Sequence, residues 1–443
     1  MKVLYISLIV FFIFTLKGMA QATLPVVKLP EPPKPTMPLP NTQIGIGRTY
    51  NMHNPHNPHA VTDIQQRNAA LLQEFQENEM FLAEARRQSE IKTLLTGRFP
   101  YQSAEQGTFH YHSAFNEINS MLEGDTTLNL GRAIFLVENA YYENQYEYND
   151  FKNYIEQCAD FCNERIAHEK LDINDNLTKN MMIFRFISDT LEWRDKTTKR
   201  KMYHYPVKYD YDDYKSEINY DSHFVTSLMR TGKGQCQSMP LFYLTIAEEM
   251  GANAYWALSP KHSLVKIQDE EDKNWYNLEL TCKAILSDAH YMNNSYIKAE
   301  AIQNRLYLEP LDKRQTVTKM LLELARGYLE KYGFDDFYMQ CVTAAMKNMP
   351  DDIDALWMQS AYQTRITLAL AQALNAPNPE IMKEMSPEAY QHFELMQAQY
   401  RRIDELGYED LPEDLYARWL AHIAKEKEKS EKAPSIFIKL KKD

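Results

Sequence analysis

The chain is 443 residues long, 44% hydrophobic and 25% charged, with five cysteines and a formal net charge of −12. That length can bury more than one core and points to two or three domains. The acidic balance removes the electrostatic basis for binding nucleic acid or an anionic membrane, and leaves peptides, glycans and cationic partners open.

Residues 1–22 combine Lys2, an apolar run from Val3 to Leu16 and small residues at Ala20 and Ala22. This pattern predicts a secretory signal peptide cut near Ala22, and hence a periplasmic or secreted protein. No later stretch has the uninterrupted apolar length of a membrane span, so no integral membrane segment is expected after cleavage. Residues 23–60 read as a linker, because the prolines between Leu24 and Leu39 impose an extended, solvated backbone. His53, His56 and His59 follow at a spacing of three. Prolines hold that tract open and no acidic or thiol ligand adjoins it, so a polar loop is expected rather than a metal site. No cofactor is expected elsewhere.

From 61 to 200 the apolar residues recur every three or four positions, which predicts an N-terminal helical region. Thr62-Asp-Ile-Gln65 has the form of a capping box opening a long helix to about Leu95. Further stripes run through Phe115, Ile118 and Leu122, through Leu130 to Tyr141, through Phe151, Ile155, Cys158 and Cys162, and through Leu177 to Leu191. Residues 201–300 change character. The Tyr- and Asp-rich tract Tyr209-Asp-Tyr-Asp-Asp-Tyr214 lacks the glycine and terminal glutamate of a calcium loop, and is expected to frame a cleft.

Lys233-Gly-Gln-Cys-Gln-Ser-Met-Pro240 then places Cys236 in the first turn of a helix that runs to Met250 and stops at Gly251. The free N–H groups and partial positive charge of a helix start favour thiolate over thiol. Three strands follow, Tyr255 to Leu258, His262 to Ile267 and Trp275 to Leu280, with Asp269-Glu-Glu-Asp272 as the turn between the last two. A hairpin centred between Glu270 and Glu271 puts His262 directly across from Glu279, with Leu264, Lys266, Trp275 and Asn277 on the same face. Val265, Ile267, Tyr276, Leu278 and Leu280 point the other way, into the core.

Gly234-Gln-Cys236 opening a helix, Pro260-Lys-His262-Ser-Leu-Val on a strand and Trp275-Tyr-Asn-Leu-Glu279-Leu-Thr281 on the next resemble the transglutaminase-like superfamily, over roughly a hundred residues. The resemblance implies a papain-like core in which Cys236 is the nucleophile, His262 the general base and acid, and Glu279 the carboxylate that fixes the imidazole tautomer. Gln235, Trp275 and Asn277 would contact substrate. Glu279 stands where the family usually carries Asp. Gln237 stands where animal transglutaminases carry Trp, which argues against protein cross-linking as the reaction.

Residues 301–443 read as helical again. Leu324-Ala325 with Tyr328, a break at Gly333, a second amphipathic stretch through Val342 and Ala345, and Pro350 resemble a tetratricopeptide unit. Such helices offer a groove for a protein partner or pack internally. The end, from Lys425 to Lys432, reads as a solvated charged tail. Cys282, close to Glu279, is a candidate for a reversible disulfide with Cys236.

Together these features predict an α+β fold that is mainly helical, with a small antiparallel-sheet core. They point to an exported cysteine enzyme that performs acyl transfer or hydrolysis on peptide or amide bonds. The alternative is a catalytically silent periplasmic scaffold that binds peptides through the same fold and its helical repeats.

Overall fold

The computed structural model describes residues 58–99, 105–194, 201–269, 271 and 273–409, and singly 418, 421 and 425. The expected signal peptide, the proline-rich segment, His53, His56, His59 and the tail beyond 425 lie outside the described residues. Contacts divide the chain into residues 1–75 and 76–443. Of the first unit only 58–75 is described, as the first part of helix α1 (Pro58–Leu95). The expected capping box at Thr62 is therefore not the helix start. The helix opens on Pro58, whose missing N–H costs nothing in a first turn.

In the second unit α1 continues to Leu95 and enters the core only at Ile91 and Leu94. Helices α2 (Thr108–Glu123), α3 (Leu130–Tyr141), α4 (Tyr148–Glu169) and α5 (Asn176–Ser188) follow. Side chains set several boundaries. Asn129 accepts the Arg132 N–H at 2.7 Å and Asp175 the Thr178 N–H at 2.7 Å, each satisfying a donor at a helix start. The expected helical region ends at Ser188, where Asp189 turns extended. An antiparallel pair, β1 (Leu191–Arg194) and β2 (Lys201–His204), takes its place.

Strand β3 (Lys208–Tyr209) leads through a loop and a 3-10 turn (Tyr220–His223) to helix α6 (Val225–Thr231). The buried carboxylate of Glu138 caps α6, accepting the Val225 and Thr226 N–H groups at 2.7 and 2.8 Å. Strand β4 (Lys233–Gly234) pairs in parallel with β3, and helix α7 (Ser238–Glu249) follows at once. A four-stranded antiparallel sheet comes next in sequence order, from β5 (Tyr255–Ser259), β6 (His262–Gln268), β7 (Trp275–Glu279) and β8 (Ala284–Leu286). Two short helices, α8 (Asp288–Asn294) and α9 (Ala299–Gln303), cover its outer face.

The remaining helices are α10 (Lys313–Tyr332), α11 (Asp336–Asn348), α12 (Ile353–Ala373), α13 (Pro379–Met385) and α14 (Pro387–Glu405). The architecture is mainly helical, with small sheets of few strands. No helix among the described residues is long and apolar enough to cross a membrane.

Buried residues from Leu94 to Ala389 form one contiguous cluster. It holds α2 to α5, α7, the inner face of the sheet through Val265, Ile267, Leu278 and Leu280, and α10 to α12. The regions separated by composition thus share a single interior. A second, smaller cluster covers the opposite face of the sheet, where Ala257 and Leu264 meet Tyr291, Ile297, Ala301 and Leu306. The face that carries His262 and Glu279 is in large part roofed.

Helix α10 lies at the centre, packed against α2, α3 and α11. Its start carries a capping box between Asp312 and Gln315, and Gly333 with φ 82 ends it. Lys319 on this helix is 1% exposed, and its ammonium reaches Asp352 Oδ2 at 2.8 Å and the carboxylate of Asp354. Asp352 also accepts the Ala355 N–H at 3.0 Å and so caps α12. Removing the cation leaves the buried Asp352 carboxylate without its ion-pair partner, while Asp354 is a third exposed and keeps Arg326, so Lys319→Met is expected to cost roughly 3 kcal/mol in urea unfolding. A loss below about 1 kcal/mol, the size of a surface pair, would show that this bridge does not tie α10 to α12.

Candidate active site

The backbone before Cys236 is held by close packing. A Cβ on Gly234 would lie 2.6 Å from Leu228 Cδ1 and 2.7 Å from Met239 Cγ, so only glycine lets α6 and α7 approach there. Helical hydrogen bonding begins with the Met239 N–H on the Gln235 carbonyl at 3.0 Å, and the Ser238 hydroxyl accepts the Gln235 N–H at 2.9 Å. Cys236 therefore stands in the first hydrogen-bonded turn, as expected. Ser263 ties this turn to the sheet, its hydroxyl donating to the Cys236 carbonyl at 2.5 Å.

Strand register supplies the second half of the site. Val265 opposes Leu278 and Gln268 opposes Trp275, which centres the turn between Glu271 and Asp272, one position beyond the expected centre. The turn has the expected length but closes one position later than the charged run. Asp269 closes on Asn274 through its N–H at 3.0 Å, its carboxylate accepts the Glu271 N–H at 2.8 Å, and Lys273 takes φ 61. Direct opposition of His262 and Glu279 is thus corrected to a diagonal one. The correction moves the pairing by two residues, so both side chains stay on one face. His262 Nε2 and Glu279 Oε2 are 2.6 Å apart.

Glu279 is 4% exposed and has every approach used. Oε2 also accepts the Tyr291 hydroxyl at 2.8 Å, and Oε1 accepts the Thr281 N–H at 3.0 Å and hydroxyl at 2.7 Å. Burial alone would raise its pKa. The charge of His262 and the hydrogen bonds from His262, Thr281 and Tyr291 overcome that and bring it down to about 2. His262 shows the mirror case. Burial would lower its pKa, but the Glu279 charge and hydrogen bonds with Cys236 and Glu279 hold it well above the usual imidazole range. With Nε2 committed to the carboxylate, Nδ1 is the ring nitrogen left to meet the sulfur. The imidazole thus has the carboxylate as direct partner and Cys236 among the neighbours that raise its pKa.

Tyr209, on β3 beside Gly234, joins the site from the other side. Burial first, then the neighbouring Cys236, Tyr211 and Glu279, push its phenol pKa up. The Tyr- and Asp-rich tract therefore adjoins the cysteine. Gln235 is 3% exposed and its amide is spent inside this loop, donating to the Asp213 carbonyl and accepting the Ser216 hydroxyl at 2.9 Å. It is placed to hold the loop. Gln237 turns outward from the helix start and donates to Glu323 Oε2 on α10 at 3.0 Å.

Asn277 and Trp275 continue the His262 face along β7, progressively farther from the sulfur. Asn277 is 2% exposed and donates to Asp288 Oδ1 at 2.7 Å, while Trp275 is 40% exposed and meets Tyr255 edge-on at 5.4 Å. Cys236 and Cys282 are not joined by a disulfide. Sequence reasoning missed Ser263, Thr281 and Tyr291. Ser263 and Thr281 lie inside the quoted motifs, but hydroxyls carry no periodic signal, and nothing marked Tyr291.

Comparison with protein-family models, with curated proteins and with solved structures finds no match for this chain.

The pair sets a pH window. A carboxylate whose folded pKa lies below its ordinary value near 4.5 contributes stability above that value and loses it as pH falls toward about 2. An imidazole with a raised pKa contributes below about 6.5 and loses it as pH rises through the higher folded value. The melting-temperature gap between wild type and Glu279→Gln is therefore expected to be widest between about pH 5 and 6.5 and to narrow on either side. A gap that does not vary with pH would remove the ion pair as its source. Tyr291→Phe withdraws one donor from Oε2, and should move the acid edge of that window upward.

Proposed function

We propose that this chain is a transglutaminase-like cysteine enzyme, exported from the cell, that acts on peptide or amide bonds. The observation that carries the proposal is the series Glu279, His262, Cys236, closed by the 2.6 Å contact and placed at the start of α7. In this reading the Cys236 thiolate attacks the amide carbon and the tetrahedral oxyanion faces the N–H groups at the helix start. The His262 imidazolium then gives its proton to the departing amine, and neutral His262 afterwards takes a proton from water as it attacks the thioester. Water as acceptor makes the enzyme a peptidase or amidase. Glu279, charged throughout, holds the ring so that Nδ1 meets the sulfur.

A second reading is favoured by a separate observation. A groove of about 800 Å³ lies among the end of α1, α11, α12 and α14, where Gln340 and Gln359 line the wall and Gln399 Oε1 is buried without a partner. Primary amides match the alternating donors and acceptors of an extended peptide. In this reading the C-terminal helices, with tetratricopeptide-like packing of α10 on α11 and α11 on α12, present a peptide-binding scaffold and the cysteine site is silent.

Alkylation separates the two. Iodoacetamide should modify Cys236 rapidly at pH 6, where an ordinary thiol is about 99% protonated, and His262→Ala should slow that reaction roughly tenfold or more. Equal rates in wild type and His262→Ala would sink the enzyme reading. A peptide-library screen of wild type against Cys236→Ala completes the test: cleavage confined to wild type supports the enzyme, and binding by both without cleavage supports the scaffold.

A further inference from the structure

The outer face of the sheet holds a second feature, on the same strands as His262 and Glu279 but farther along them. A cavity of about 370 Å³ is walled by Lys266, Trp275, Asp288, Tyr307, Leu308 and Glu309, among others. Its size lies within the range of small-molecule and side-chain sites, about 300–1,000 Å³. Lys266 sits four residues beyond His262 on β6, which places the cavity roughly 13 Å from the imidazole.

The one ammonium in the wall has nothing left to offer. Lys266 donates to Asp288 Oδ1 at 2.9 Å, to Asp288 Oδ2 at 3.1 Å and to the Leu308 carbonyl at 2.8 Å, which uses all three of its hydrogens, and its side chain is 5% exposed. An anion entering here would find no free donor from it. The charges that do reach the opening are negative. The side chains of Asp288 and Glu309 are 51% and 38% exposed, and Arg305 approaches Glu309 only to 3.7 Å from a largely solvated position. Asn277, 2% exposed, gives its amide N–H to Asp288 and leaves Oδ1 buried with no partner beside the same carboxylate. Trp275 adds an exposed indole, whose electron-rich face attracts cations. Tyr307 and Leu308, nearly buried, supply an apolar floor for an alkyl stem.

We infer that this cavity binds a basic side chain, an alkylguanidinium or alkylammonium, with its charge on Asp288 and Glu309 and its stem against Trp275. As binding chemistry the site stands by itself. Its role as a specificity pocket rests on the reading of Cys236 as nucleophile. In that role it selects peptides with Arg or Lys about four residues from the attacked amide, since an extended chain spans the roughly 13 Å in four steps.

The test uses the full chain carrying Cys236→Ala, titrated calorimetrically with N-acetyl-arginine amide, N-acetyl-lysine amide and N-acetyl-citrulline amide. The inference expects the arginine and lysine compounds to bind and the neutral citrulline isostere to bind at least about tenfold more weakly, the worth of one charge-assisted hydrogen bond. Glu309→Gln, at an exposed position, should erase that preference with the melting temperature unchanged. Trp275→Leu should weaken the cationic probes by a similar factor and serves if Glu309→Gln proves unstable. Equal binding of arginine and citrulline compounds, insensitivity to both substitutions, or no binding of any probe at millimolar concentration overturns the site. Failure of the catalytic reading looks different. Arginine amide then still binds and Glu309→Gln still matters, but no Cys236-dependent cleavage occurs with any peptide, basic or neutral.

Discussion

The hydrogen-bonded ion pair between His262 and Glu279 is the constraint around which the sheet, the helix start and the covering segments are arranged. A carboxylate this deeply buried is costly unless each lone pair has a donor, and the structure supplies four from three elements. His262 comes from β6, the Thr281 hydroxyl and N–H from just past β7, and the Tyr291 hydroxyl from α8. Moving any one of these elements would leave charge unpaired in a low-dielectric setting. The site's geometry and the local packing of the outer face are therefore one problem.

Much of this was legible from residue order. The helix start at Cys236, the strands carrying His262 and Glu279, and the inward set Val265, Ile267, Leu278 and Leu280 follow from periodicity and glycine placement. The turn centre does not, because Asp269 closes on Asn274 and Lys273 takes a left-handed φ, which sets the turn one position later than the charged run suggests. The error left the face assignment intact, since the period of two makes a shift of pairing by two residues invisible to sidedness. What sequence could not show was contact across long separations. Tyr291 reaches Glu279 from α8, and Gln237 meets Glu323 from a helix more than eighty positions away. The hairpin after Ser188 was hidden because its two strands are four residues each, too short for alternation to register.

The helices after residue 312 bear on the site more directly than a composition-based boundary implies. Lys319, Glu323 and Arg326 recur on one side of α10, where they form a run of charges in the interior. Arg326 binds Glu323 and reaches Asp354, and Lys319 binds Asp352 and Asp354, so the run ends on the start of α12. Glu323 in turn accepts from Gln237, the residue next to the cysteine. A polar chain of contacts thus joins the first turn of α7 to the C-terminal helices, and polar contacts of that kind specify position more sharply than apolar packing does.

The outer face of the sheet is divided along the strand direction into two ends with opposite electrostatic logic. At the His262 end a buried carboxylate is paired with a cation of the chain's own, beside Cys236. At the Lys266 end the chain's own cation is buried and fully used by Asp288 and Leu308, while the carboxylates of Asp288 and Glu309 and the Trp275 indole stay partly exposed. Leu264 stands between them, wholly buried, and separates the two polar centres by one apolar step. A ligand that satisfied both ends would need a neutral, polarisable carbonyl at one and a positive charge at the other, held apart by an extended backbone. Peptides with a basic residue meet that description without further adjustment, whereas acidic peptides would place negative charge against Asp288 and Glu309.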